Sequence, residues 1–237
     1  MCEKITNNKE YFRDAWSIYE QVTALNYMEH QDIYEIVHQY IVKNYREPFS
    51  FLELGCGDAR YSAKALLATA ISNYTGVDLS LGGLNLAPKN LKNINCIVEL
   101  KQQEMSDFLE SCNSSFDLIL ISFALHHLSS KQKQVFLQQC WNCLNSKGTL
   151  LLIDVFCRNQ ETLPEYLARY CGHIQTQWQQ IPSQSISKIV GHISTSDYPE
   201  SESTLRHWAQ EIGFNQVKLI YDGKHDVHKA FALIKNS

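Results

Sequence analysis

From Phe49 onward the chain alternates short, continuously apolar runs with longer segments in which apolar residues recur every three or four positions. Runs such as Phe116-Asp-Leu-Ile-Leu-Ile-Ser122 and Thr149-Leu-Leu-Leu-Ile-Asp154 show little polar alternation. Each suits a strand covered on both faces of a parallel sheet. The pattern predicts strands at 49–54, 73–78, 94–100, 116–122 and 148–155, and helices at 59–70, 80–90, 105–112 and 129–144. Gly148 is expected to end the last of these helices. Upstream, Trp16, Tyr19, Val22 and Leu25, then Ile33, Ile36, Val37, Tyr40 and Ile41, mark one or two amphipathic helices within residues 9–46, closed by Pro48. Beyond Asp154 the alternation lapses. Residues 159–193 read as a helical insertion rich in Tyr, His, Gln and Trp, and Glu202 to Ile212 as a further helix ended by Gly213. Gln216 to Tyr221 and Val227 to Ile234 read as a β-hairpin through Asp222-Gly223. The expected organisation is a helical cap or lid over residues 1–47 and an α/β domain over 48–237.

The segment Phe51-Leu-Glu-Leu-Gly-Cys-Gly-Asp-Ala-Arg-Tyr-Ser62 carries the strongest chemical signal. It is a buried strand that ends in a glycine turn and opens into a helix, with Asp58 expected at the N-cap. Gly55 and Gly57 would let backbone amides approach a ligand closely. A phosphate-binding loop would need a Lys-Ser/Thr pair after the glycines, and none is present. The dinucleotide fingerprint would need a small residue where Arg60 stands. Glu53 and Asp58 would also repel a pyrophosphate, so the turn suits a cationic ligand. A second strand ends in Gly76-Val-Asp78-Leu-Ser80, about twenty residues further on, where an acid can accept both hydroxyls of a ribose.

Leu-Gly-Cys-Gly followed by Gly-Val-Asp-Leu-Ser resembles the class I S-adenosylmethionine-dependent methyltransferases, from about Phe49 to Asp154, with a weaker match over the C-terminal strands. One departure is Ala59, where many members carry a third glycine. The resemblance implies a Rossmann-like, doubly wound sheet of seven strands in the order 3-2-1-4-5-7-6, the last antiparallel. It also implies an N-terminal lid and S-adenosylmethionine as cofactor. Glu53, Gly55, Cys56 and Gly57 would then hold the methionine part, Asp78 the ribose, and Leu79 the adenine face. After the third strand, Glu104 and Met105 would meet the adenine, with Asp107 as competitor and more suited to flanking a helix. Ser122 would stand near the cofactor, and His127 or His126 would face the acceptor as a proton-accepting group. Packing and local hydrogen bonding account equally for these histidines.

The acceptor would be held by Tyr19 from the lid, with Tyr11 and Tyr27 as further candidates, and by the insertion. There Tyr166, Arg169 and His173 share a helical face and could form a cationic, aromatic rim. Arg158, Tyr170, Trp178 and His192 are spread through the same region. A surface helix packing its aromatic residues on the sheet would show the same pattern.

A net charge of −4 disfavours an extended nucleic-acid surface. No apolar run reaches the ~20 residues of a membrane span. The first residues lack the apolar core of a signal peptide, and eight cysteines then indicate free thiols in a reducing, cytoplasmic setting. Cys140-Trp-Asn-Cys143 has no second pair at zinc spacing, so no metal is expected. The expected activity is methyl transfer to a small-molecule acceptor, at an O, N or S atom. An RNA or protein methyltransferase, a non-catalytic cofactor-binding module, and a related chemistry such as carboxyl transfer remain open alternatives.

Overall fold

The computed structural model describes residues 17–236. Tyr11 and Trp16 therefore lie outside the described residues. Residues 17–24 form helix α1, and His30–Asn44 form α2. Eight strands follow: β1 (Phe49–Leu54), β2 (Ile71–Asp78), β3 (Ile97–Gln102), β4 (Phe116–Ser122), β5 (Leu144–Cys157), the two-residue β6 (Glu200–Ser201), β7 (Phe214–Asp222) and β8 (His228–Lys235). Between them run α3 (Arg60–Leu66), α4 (Leu81–Leu91), α5 (Met105–Ser111), α6 (Ser130–Cys143), α7 (Leu163–Gln177), α8 (Ser183–Ser196) and α9 (Glu202–Ile212).

The sheet order is β3-β2-β1-β4-β5-β8-β7, with β6 pairing β5 at the side. This is the expected order, because the short β6 only advances the numbers of the last two strands. β1 to β5 pair in parallel, and β8 is antiparallel to both β5 and β7. Successive side chains on a strand face opposite sides, so the apolar runs feed two cores. Leu52, Leu54, Ile119, Ile121, Leu150 and Leu152 pack with Phe136, Leu137 and Trp208. Phe51, Leu118, Leu120, Leu151 and Ile153 pack with Ile33, Val37 and Ile41 of α2. The second lid helix is thus part of the domain's core, whereas Val22 of α1 joins a third cluster with Tyr166, Tyr170 and Ile174 of the insertion.

Several boundaries move. β3 starts at Ile97 rather than 94, and as an exposed edge strand it shows no burial pattern to read. α3 stops at Leu66, followed by Ala68 with φ 58°. Asp58 is not the N-cap of α3. Ala59 holds that place with φ 55°, and the Asp58 carboxylate instead binds the Arg60 guanidinium at 2.6 Å. Gly148 does not end α6, which stops at Cys143. It lies within β5, where a Cβ would stand 2.9 Å from the Asn145 carbonyl oxygen. The insertion is two helices, α7 and α8, and runs on to Ser196. α7 begins with a capping box between Thr162 and Glu165.

Candidate active site

The glycine turn is pinned to the neighbouring strand, since the Gly55 and Cys56 amides both donate to the Val77 carbonyl, at 2.8 and 3.1 Å. Gly55 has φ 73° and Gly57 φ 52°. A Cβ on Gly83 of α4 would lie 2.8 Å from the Gly57 carbonyl carbon. The helix therefore reaches the turn only through glycine. Cys56 is buried, and burial pushes its thiol well up, so it fills space rather than acting as a nucleophile.

Asp78 closes the turn from the second strand. One carboxylate oxygen accepts the Gly57 amide at 2.7 Å, and the other accepts the Ser80 amide at 2.7 Å. Each oxygen keeps a lone pair for a ligand hydroxyl. Leu79, next in sequence, is 66% exposed. Ser122 ends β4, hydrogen-bonded to Tyr34, and Met105 opens α5.

Two expected contacts are corrected. Glu53 is 2% exposed and receives the hydroxyls of Ser62 and Tyr74, so it lies beneath the turn and not on the ligand. Burial raises its carboxyl to about 7, more than the two hydroxyls lower it. Glu104 is the N-cap of α5, accepting the Ser106 and Asp107 amides at 2.6 and 3.1 Å through one oxygen. It performs the helix-end role expected of Asp107.

Across from the turn stands an aromatic wall. His30, nearly fully buried, packs on Tyr61 and Phe123, each with ring centroids 4.8 Å apart, and the Tyr19 hydroxyl meets its Nε2 at 3.3 Å. Burial drives His30 down to about 3, so it is neutral at physiological pH. Phe123 holds φ 50°, a strained value for a bulky residue, which turns the chain directly after Ser122. Behind this wall Glu29, His228 and Tyr170 form a buried relay. His228 Nδ1 lies 3.2 Å from the Glu29 carboxylate and Nε2 lies 3.0 Å from the Tyr170 hydroxyl. No motif or periodicity in the sequence marks Glu29, His30 or His228. The tip of the lid meets the final hairpin only in three dimensions.

Of the expected rim, the Arg169 guanidinium lies over the Tyr166 ring, 5.7 Å from its centroid, while His173 is turned to another partner. Tyr166 is fully buried, and its hydroxyl has no hydrogen-bond partner among the described residues. Arg169 is spent on a two-pronged pair with Glu161, both contacts at 2.7 Å, and on the carbonyls of His225 and Asp226. His173 packs on His225 with centroids 3.9 Å apart. Tyr27 stacks on Trp178.

His126 and His127 separate in role. His126 donates Nδ1–H to the buried Asp154 carboxylate within β5, and its Nε2 faces Asp197 Oδ1 at 3.7 Å. Burial depresses the imidazole, but the two carboxylates outweigh it and hold His126 above its ordinary value. Enclosed in this way, it is corrected as a proton acceptor for a substrate. His127 is partly exposed, with Nδ1 3.2 Å from the Ser196 carbonyl, and burial together with His126 lowers it to about 4. Asp154 is legible in the sequence as the residue at the tip of strand five. Asp197, in the segment after the insertion, carries no such signal.

Residues 51–148 match the family model described as a methyltransferase domain. A ubiquinone/menaquinone biosynthesis C-methyltransferase of Blochmanniella floridana is 25% identical over 136 residues, which are 57% of this chain and 53% of that protein. The chain thus spans about half the length of this curated relative. Among solved structures, magnesium protoporphyrin IX methyltransferase of Synechocystis PCC 6803 superposes with TM-score 0.64 at 14% identity, over 97% of this chain and 96% of that one. The plantazolicin methyltransferase BpumL superposes with TM-score 0.67 at 15% identity, over 98% and 92%. The glycine turn, the acid at the tip of β2 and the strand order agree with the matched methyltransferase domain, and the comparisons support an S-adenosylmethionine-dependent methyltransferase domain over residues 51–148.

Proposed function

We propose that this protein transfers the methyl group of S-adenosylmethionine to a small-molecule acceptor. The observation that carries the reading is the Asp78 carboxylate, bound to the Gly57 amide in a turn that only glycine can form against Gly83. Gly55, Cys56, Gly57, Asp78 and Leu79 line this crevice, with Ser122, Glu104 and Met105 on the adjoining strand and helix tips. When bound, the cofactor supplies an already activated sulfonium methyl. The protein's part is alignment, and good orientation is worth about 7–11 kcal/mol.

A small acceptor is favoured by the lining of the opposite side. Tyr19, His30, Tyr34, Tyr61 and Phe123 leave an apolar, aromatic wall, and the insertion closes behind it with Tyr166. The buried Tyr166 hydroxyl is the polar group best suited to orient an acceptor, since it has no protein partner among the described residues. Among the described residues no helix is long and apolar enough to cross a membrane.

Calorimetric titration with S-adenosylmethionine tests the reading. Binding by the native protein, weakened at least tenfold in Asp78→Ala, is expected, and equal affinities would overturn the ribose assignment. Labelled cofactor incubated with a small-molecule fraction of cell extract should transfer its label to a compound of low mass. Label found only in RNA or protein would overturn the small-acceptor reading.

A further inference from the structure

We propose that His126, His127 and Asp197 form a binding site for a divalent transition metal of the zinc type, which clamps the helical insertion to the loop after β4. The three side chains each offer one ligand atom, and these atoms all lie within 4.8 Å of one another. Asp197 Oδ1 stands 3.7 Å from His126 Nε2 and 3.7 Å from His127 Nδ1. A tetrahedral zinc ion with bonds of about 2.0–2.1 Å needs ligand atoms about 3.3 Å apart. Both Asp197 pairs exceed this by about 0.4 Å and the remaining pair by at most about 1.5 Å, a closure that side-chain rotation can supply.

Three further features separate this cluster from a chance grouping of polar side chains. First, His126 Nδ1 is paired with Asp154, so in the neutral ring, the form a metal would bind, the lone pair is on Nε2, facing Asp197. A carboxylate behind a ligating imidazole is the arrangement that fixes the tautomer and strengthens the donor. Asp154 is itself held, since it also accepts the His126 and Val155 amides. Second, Asp197 is 6% exposed, and its Oδ1 has no hydrogen-bond partner among the described residues. A buried carboxylate oxygen without a donor is costly, and a cation between the imidazoles would satisfy it. Third, a fourth position is open to oxygen. The Ser196 carbonyl lies 3.2 Å from His127 Nδ1, and it or a water completes the tetrahedron once the His127 ring carries its proton on Nε2 and leaves Nδ1 free to bind.

Two imidazoles and one carboxylate suit zinc and its neighbours better than calcium or magnesium, which take oxygen ligands almost throughout. The position explains what the metal would do. Asp197 directly follows α8, the last helix of the insertion, and the histidines lie in the 3-10 turn Leu125–His127 after β4. From the other side the buried Lys133 of α6 donates to the Tyr198 carbonyl and pairs with Glu200 at 3.1 Å. The chain leaving the insertion is therefore already tied to α6, and the metal would tie it to the core a second time.

The test uses the full-length protein, stripped with a chelator and titrated with Co²⁺ and Zn²⁺. One equivalent of Co²⁺ should bind with visible d–d bands and no thiolate charge-transfer band, since no cysteine belongs to the set. Zinc at a hundredfold excess over its Kd should raise Tm by roughly 5–10 °C. Asp197→Asn, and separately the partly exposed His127→Gln, should each weaken Co²⁺ binding at least tenfold. Absence of stoichiometric binding, a thiolate spectrum, or unchanged affinity in folded Asp197→Asn and His127→Gln would each overturn the proposal. None of these readouts depends on cofactor binding or methyl transfer.

Discussion

Asp78 and Gly57, twenty-one positions apart in sequence, are joined by a 2.7 Å hydrogen bond from the Gly57 amide to the Asp78 carboxylate. The acid at the tip of the second strand thus shapes the glycine turn as well as presenting oxygens to a ligand. On the proposed reading, cofactor binding and turn geometry are coupled through this one side chain.

Replacement of Asp78 by asparagine keeps one oxygen acceptor and removes the charge. Loss of a hydrogen bond to a charged group costs about 1.5–3 kcal/mol, roughly 10- to 150-fold in affinity. Calorimetry should show that loss for S-adenosylmethionine with little change in Tm. An affinity within twofold of native would contradict the assignment.

Gly83→Ala tests the same turn from the helix side. In an isolated helix alanine is preferred to glycine by about 1 kcal/mol. Here the added Cβ would lie 2.8 Å from the Gly57 carbonyl carbon and 2.9 Å from its oxygen. Overpacking of this kind costs about 1–3 kcal/mol. The variant should melt earlier and bind the cofactor at least tenfold more weakly. Retention of native affinity would show that the turn is not held by this contact.

The two buried glutamates have opposite pH signatures. Burial raises Glu53 from 4.5 to about 7, so its neutral form is the one favoured by folding. That stabilising contribution is complete below pH 4.5 and is lost as pH rises through about 7. Glu53→Gln removes the titration. Native protein should lose stability relative to the variant between these limits, by at most about 3 kcal/mol. Parallel melting curves across the range would contradict this.

Glu29 behaves inversely. Burial raises it, but the hydrogen bonds from His228 and the Lys224 amide outweigh burial and hold the carboxyl below its ordinary value. Its contribution is present above pH 4.5 and is lost as pH falls through the depressed value. Glu29→Gln should therefore destabilise the protein at neutral pH by about 1 kcal/mol and flatten the acid limb of the Tm profile. An acid limb as steep as that of the native protein would rule out the relay as its source.

Tyr166→Phe removes a buried hydroxyl that no described residue satisfies. An unsatisfied buried polar group costs about 1–3 kcal/mol, so the variant should melt at the native temperature or above it. Its KM for the acceptor should rise while cofactor affinity is unchanged. A fall in Tm would point to a partner for the hydroxyl within the free protein.

Much of this architecture is local information. The apolar runs at 116–122 and 149–154 name the central strands because a strand buried on both faces has no polar side to show. The glycine turn and Asp78 are legible because a close backbone approach and a strand-tip acid are properties of short segments. Edge strand β3 was misplaced by three residues for the converse reason, since its side chains meet solvent and follow no rule.

What the order of residues determined by itself was therefore the central strands and the glycine turn with its strand-tip acid, set by patterns within a few neighbouring positions, while the strand order followed from the family resemblance. Only the tertiary structure decided how polar side chains are spent. Arg169 is consumed by Glu161, Glu53 sinks beneath the turn, and Glu104 caps a helix. His228 meets Glu29 from the far end of the chain, and His126 is gathered with Asp154 and Asp197. The physical reason is that a buried polar group must find whichever partner the fold brings within hydrogen-bond reach, and that partner leaves no periodic trace in the sequence.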